Sequence, residues 1–144
     1  GIANRTALIE HLKFLAPGFL YSVGMPPAVT ASALAALKLL AADSERVAQV
    51  QARGELFLRL AREAGLDTAT STGLAVIPVI TGSSFKAGRL SSALFERGIN
   101  AQPILYPAVP EHVARVRFFV SCEHTEEQIR QTVAIVAEEL AKIG

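Results

Sequence analysis

The apolar positions of this chain recur at two spacings, one near the helical turn and one of every second residue, and the changes of spacing divide it into elements. Leu8, Ile9, Leu12 and Leu15 share a face at helical spacing, which predicts a short amphipathic helix from Thr6 to Leu15. Ala16-Pro17-Gly18 stops it, and Phe19 to Val23 reads as an extended apolar piece ended by Gly24 and Pro26-Pro27. Ala28 to Ala41 is apolar nearly all round. It predicts a helix buried on several sides, against the Thr6–Leu15 helix or a second copy of the chain, with Pro27 in its first turn. Ser44 is placed to cap a further helix from Glu45 to about Ala64, with Arg46, Gln49, Arg53 and Arg62 facing water and Gly65 as its stop.

Beyond Gly65 the spacing shortens. Leu74 to Ile80 reads as a buried-type strand, in which Pro78 implies an edge position or a bulge. Phe85 to Arg97 is helical, with Leu90, Leu94 and Phe95 inward and Gly98 as its stop. Strands follow at Ile99 to Leu105 and at Val113 to Ser121, and the turn-rich loop between them predicts an antiparallel pair. Thr125 and Gln128 form a capping box for a last helix whose stripe is Ile129, Val133, Val136 and Leu140. The class is α+β: a small, mostly antiparallel sheet with helices packed on one face, preceded by long helices.

Composition narrows the function classes. At 144 residues, 51% hydrophobic and 19% charged, the chain can bury a core. A net charge of +1, with arginines scattered among acids, argues against nucleic acid or an acidic membrane as partner. No apolar stretch reaches the ~20 residues of a membrane span. The single cysteine, Cys122, excludes an intramolecular disulfide and fits a reducing, cytoplasmic setting; it reads as a small buried thiol. The chain begins at Gly1, directly before a helix, and reads as a piece of something longer.

The richest chemistry lies near the end. Tyr106-Pro107-Ala108-Val109-Pro110 is a stiff loop, and Ala114-Arg115-Val116-Arg117 opens the strand behind it. Alternation puts Arg115, Arg117 and Phe119 on one face and Val116, Phe118 and Val120 on the other, which is the better core face. The two arginines therefore either decorate a solvated or interdomain face or act as a bidentate carboxylate clamp. His124, just before the capping Thr125, reads as structural. His11 and His112 lack partners at metal-ligand spacing, so no metal site is expected. Gly82-Ser83-Ser84 lacks the phosphate-loop pattern and more simply ends a strand, with Ser84 capping the next helix. Ser22, taken alone, is an ordinary serine. None of the four lysines, Lys13, Lys38, Lys86 and Lys142, sits in a recognisable catalytic motif.

Taken in order, these segments resemble a known family. Ala16-Pro17-Gly18-Phe19-Leu20-Tyr21-Ser22, then Met25-Pro26-Pro27-Ala28, is similar to the segment after the catalytic lysine of the pyridoxal-phosphate-dependent α-oxoamine synthases. Arg97-Gly98-Ile99, Pro103, Tyr106 to Pro110, Ala114 to Arg117 and His124-Thr125 follow that family's C-terminal pattern. The resemblance spans essentially the whole chain. It implies fold type I, with residues 1–27 ending the large cofactor domain and residues 28–144 forming the small C-terminal domain. It implies that the parent condenses an amino acid with an acyl thioester, of coenzyme A or acyl carrier protein, to an α-amino ketone. It further implies that Arg117 binds the amino-acid carboxylate, with Arg115 beside it in a less defined role. Ser22 would reach the cofactor phosphate of the other subunit, which implies a homodimer. Val23 departs from a polar position of the family and His112 from a glycine. The Schiff-base lysine should lie upstream of Gly1, so this chain alone is expected to carry no catalytic residue, bind no cofactor covalently and be inactive. A non-catalytic dimerisation or docking domain of the same ancestry, and an aminotransferase of the same fold, are the alternatives.

Overall fold

A computed structural model describes residues 5–20, 22 and 24–144, with only the backbone of Leu20. The chain falls into two compact units that meet in sequence at Ala42 and Asp43. The first holds α1 (Thr6–Leu15), α2 (Pro17–Leu20) and α3 (Pro27–Ala42). α1 ends where expected, its Ala16 N–H donating back to the carbonyl of Leu12. Pro17 then starts a new turn of helix instead of an extended piece, because a proline ring is already set at the φ of a first helical residue. Tyr21 and Val23 of that expected piece lie outside the described residues. α3 begins at Pro27 as its ring geometry favours, but every one of its residues is solvent-exposed, Leu37 and Leu39 among them. The expected burial against α1 is absent: α1 has no buried residue either, only half-buried Ile9 and Leu12.

The second unit runs α4 (Ser44–Glu63), β1 (Val76–Ile80), α5 (Ser84–Glu96), β2 (Gln102–Ile104), a 3-10 turn (Glu111–Val113), β3 (Arg115–Phe119) and α6 (Glu126–Ile143). Two caps sit one residue before their expected places. Asp43, not Ser44, accepts the N–H of Arg46 at the start of α4, and Ser83, not Ser84, accepts that of Lys86 at the start of α5. Both satisfy a backbone donor that the helix cannot. The Thr125–Gln128 capping box of α6 forms in full. Gly65 and Gly98 follow α4 and α5 with positive φ, where a Cβ would be strained.

The sheet order is β1-β3-β2, antiparallel throughout. Pro78 and Pro103 thus fall on the two edge strands, where a missing N–H interrupts no inner ladder. The strands are shorter than the apolar runs that announce them. One face is covered by α4, α5 and α6. Ile77, Val79, Leu90, Leu94, Val116 and Val136 are fully buried there, each contributing roughly 1.5–3 kcal/mol. Phe57 of α4 packs on Phe118 with ring centroids 5.0 Å apart. Phe95, expected inward, is 69% exposed: Leu90 and Leu94 stand one turn apart on the buried face, and Phe95 projects past it. α4 also makes a close backbone approach at Gly54, where a Cβ would stand 1.9 Å from the carbonyl oxygen of Leu74.

Candidate functional site: the arginine strand

The uncovered face of the sheet carries the arginines. The alternation along β3 holds: Val116 and Phe118 are buried, Arg117 and Phe119 are exposed, and Arg115 is half-buried. Register places Pro78 of β1 on one side of Arg117 and Gln102 of β2 on the other. Neither bonds to the guanidinium: Pro78 has no polar side chain, and the Gln102 amide is turned to Asn100, its Nε2 donating to Oδ1 at 2.9 Å. Among the described residues the Arg117 side chain has no ion pair or hydrogen bond. Its guanidinium carbon lies 5.4 Å from the centroid of the Phe119 ring, within reach of a cation–π contact. Arg115 is held closer in, its Nε donating to the carbonyl of Val113 at 2.9 Å. The two arginines therefore differ: one is tied to its own backbone, the other presents its donors outward.

The loop that feeds β3 is fastened by a residue without a sequence signal. Glu111 accepts the Ser84 N–H at 2.7 Å with one carboxylate oxygen and the Ser84 hydroxyl at 2.5 Å with the other. The Ser84 oxygen in turn accepts the Tyr106 N–H at 3.1 Å. A carboxylate at the first turn of α5 also meets the positive end of the helix dipole. These bonds to Ser84 hold the Glu111 carboxyl below its usual range, the side-chain bond having the larger influence. Beyond the loop, the Thr81 N–H and hydroxyl both donate to the Ala114 carbonyl at 2.9 Å, fixing the first residue before the arginines. Both ends of the Tyr106–Ala114 loop are thus pinned to the segment from Thr81 to Ser84 that joins β1 to α5.

The remaining candidates fall in place around this strand or apart from it. His124 is exposed and tied into its turn: its Nδ1 accepts the Ser121 N–H at 3.0 Å, and its carbonyl accepts from Arg53, which also pairs with Glu126 at 2.9 Å. Cys122 is half-buried instead of fully buried, beside Glu123 in the turn before α6. His112 is exposed in the 3-10 turn. Ser22, in the first unit, is exposed, and its hydroxyl donates to the Phe19 carbonyl at 3.3 Å. Among the described residues no cluster of His, Cys, Asp or Glu could hold a metal ion, and no helix is long and apolar enough to cross a membrane. A cavity of about 420 Å³ opens between the end of β3 and α6, lined by Ile99, Asn100, Phe119, Gln128 and Ile135 among others; neither arginine lines it. Sequence reading missed Glu111 and the cation–π contact of Arg117 with Phe119, although the alternation already put the latter pair on one face.

A three-stranded antiparallel sheet with helices on one face matches the small domain of fold type I pyridoxal-phosphate enzymes. The family described as aminotransferase class I and II matches residues 1–136, and the chain belongs to it. Among similar proteins is 8-amino-7-oxononanoate synthase of Bacillus pumilus, 34% identical over 99% of this chain and 36% of that protein. That of Fervidobacterium nodosum is 38% identical over 89% of this chain and 32% of that protein. The chain thus spans about a third of the length of the curated relatives it matches. Among solved structures, 8-amino-7-oxononanoate synthase from Francisella tularensis superposes with a TM-score of 0.78 at 25% identity, over 98% of this chain and 41% of that one. Serine palmitoyltransferase from S. paucimobilis, with a bound PLP–myriocin aldimine, gives a TM-score of 0.83 at 18% identity over 99% of this chain and 36% of that one, a likeness of fold.

Proposed function

We propose that this chain is the C-terminal part of a pyridoxal-phosphate-dependent acyltransferase that joins an amino acid to an acyl thioester, and that Arg117 binds the amino-acid carboxylate. The observation that carries the reading is the exposed Arg117 guanidinium on the central strand, 5.4 Å from the Phe119 ring and free of any described acceptor. A planar fork of donors matches a carboxylate in two parallel hydrogen bonds. Held at its carboxylate there and at its amine by the cofactor, the substrate would be restrained about its α-carbon, so the bond that must break would keep one orientation. The relatives' names support the product class: an 8-amino-7-oxo chain is an amine next to a ketone.

The cofactor fits this chain at a single point. The exposed hydroxyl of Ser22 is free to accept or donate toward a phosphate, its present partner being a long bond to a backbone carbonyl. When bound, pyridoxal phosphate supplies the electron sink for the α-carbon's electron pair. The lysine that carries it would come from the remainder of the parent, as would the choice of amino acid and acyl donor. In this reading residues 1–27 end the large domain, residues 28–144 form the small one, and the parent is a cytoplasmic homodimer whose subunits share their sites through Ser22.

The test is Arg117→Ala in the full-length parent, with amino-acid binding followed by titrating glycine, alanine and serine against the cofactor's visible band. Losing a charge-assisted pair of bonds should weaken the preferred amino acid by roughly 10- to 150-fold. An unchanged titration would mean that the arginine face serves docking.

A further inference from the structure

We propose that Phe119 is a positioning residue for Arg117, holding the guanidinium ready for a carboxylate; this rests on the reading of Arg117 above. An exposed arginine has four rotatable side-chain bonds, and a ligand that orders it must overcome that freedom. Here a contact able to order it is in place before any ligand. Arg117 and Phe119 are two residues apart on one strand face, and the guanidinium sits over the ring at 5.4 Å. Nothing else on that face holds it: Pro78 and Gln102 flank it across the sheet without bonding to it, and Arg115 is turned to Val113.

A cation–π contact suits this task. The ring engages the guanidinium's charge through its π face, 5.4 Å from the guanidinium carbon, and offers no conventional acceptor, so the five N–H donors stay available to a ligand. An ion pair with a neighbouring acid would fix the arginine equally well, but it would consume the donors that the substrate needs. The ring also removes water from one face, and a carboxylate arriving at the edge then meets a less solvated cation. Phe119 is 59% exposed, so its ring adds little to the core and is free to serve the arginine.

The experiment is a double-mutant cycle in the full-length parent, with Arg117→Ala, Phe119→Leu and both together, and Phe119→Tyr as the conservative variant. Equilibrium binding of the preferred amino acid and KM for the acyl thioester are read for each. The expected result is a two- to fivefold weaker amino acid in Phe119→Leu, the size of an exposed cation–π contact. It should be restored in Phe119→Tyr, with no change in KM for the thioester and no further loss when Arg117 is already alanine. An equal loss in both backgrounds would assign Phe119 to packing and overturn the proposal, as would an unaffected Phe119→Leu beside a weakened Arg117→Ala. If Arg117→Ala itself binds the amino acid normally, the reading of Arg117 falls and that of Phe119 falls with it.

Discussion

Two glycines in helix interiors should answer the same substitution with opposite signs. Gly54 lies in α4 and Gly88 in α5. Replacing a glycine by alanine in a helix gains up to about 1 kcal/mol in propensity. At Gly88 no atom lies within 4 Å of the added Cβ, so that gain should appear undiminished. At Gly54 the Cβ would stand 1.9 Å from the Leu74 oxygen and 2.3 Å from that of Gly73, both backbone atoms. No side chain can swing aside. Ordinary contact begins near 3.4 Å, so α4 and the segment entering β1 must separate by about 1.5 Å (3.4 − 1.9). α4 carries Phe57 into the core, and β1 carries Ile77 and Val79. A shift of that size exceeds an added methylene, and we expect a cost at or above the upper end of the overpacking range, about 3 kcal/mol, or about 2 net of propensity. Thermal unfolding followed by circular dichroism should show Gly54→Ala melting roughly 10 °C or more below the parent sequence and Gly88→Ala several degrees above it. If Gly54→Ala melts at or above the unmodified chain, the close approach of α4 to Gly73 and Leu74 is wrong.

Other outcomes follow from burial and charge. Leu94→Ala removes a fully buried side chain and should cost about 2–5 kcal/mol in urea unfolding, whereas Phe95→Ala next to it should stay within about 0.5 kcal/mol. Glu111 has its carboxyl lowered from the ordinary 4.5 by Ser84, so its bonds stabilise the fold above that value and are lost as pH falls through the lowered one. The stability difference between the unmodified chain and Glu111→Gln should therefore be largest at neutral pH and shrink on acidification; a difference that stays level through the acid range would remove the carboxylate from that role.

What could be read without coordinates was local. The capping box at Thr125, the stops at Gly65 and Gly98 and the face division of β3 each depend on residues within a turn or on strict alternation. Neighbouring caps were harder, because Asp43-Ser44 and Ser83-Ser84 each offer two side chains able to accept the same kind of N–H, and only backbone dihedrals choose between them. Phe95 misleads because hydrophobicity states a preference for burial and not its fulfilment; the same holds for all of α3. The fastening of Glu111 to Ser84 spans 27 positions and carries no periodic signal. Arg117 drew attention through its setting after a proline-rich loop, yet its partner ring emerges only when both side chains are seen together.

The strand order has a consequence for how the arginine face comes into being. β3 is the last strand in sequence but the middle one in space, and its partners Val76 and Ile80 pair with Phe119 and Arg115 across the whole of α5. Neither outer strand has a neighbour until β3 arrives: β2 then pairs with it across the short Leu105–Ala114 loop, whereas β1 must pair with it across the whole of α5. Pairings so distant close slowly, because the intervening chain must surrender its freedom before any contact repays it. Chain synthesised as far as Pro110 has helices but no sheet, and the arginines enter at the step that completes it. The arginine-bearing face and the buried core are two sides of one late folding event.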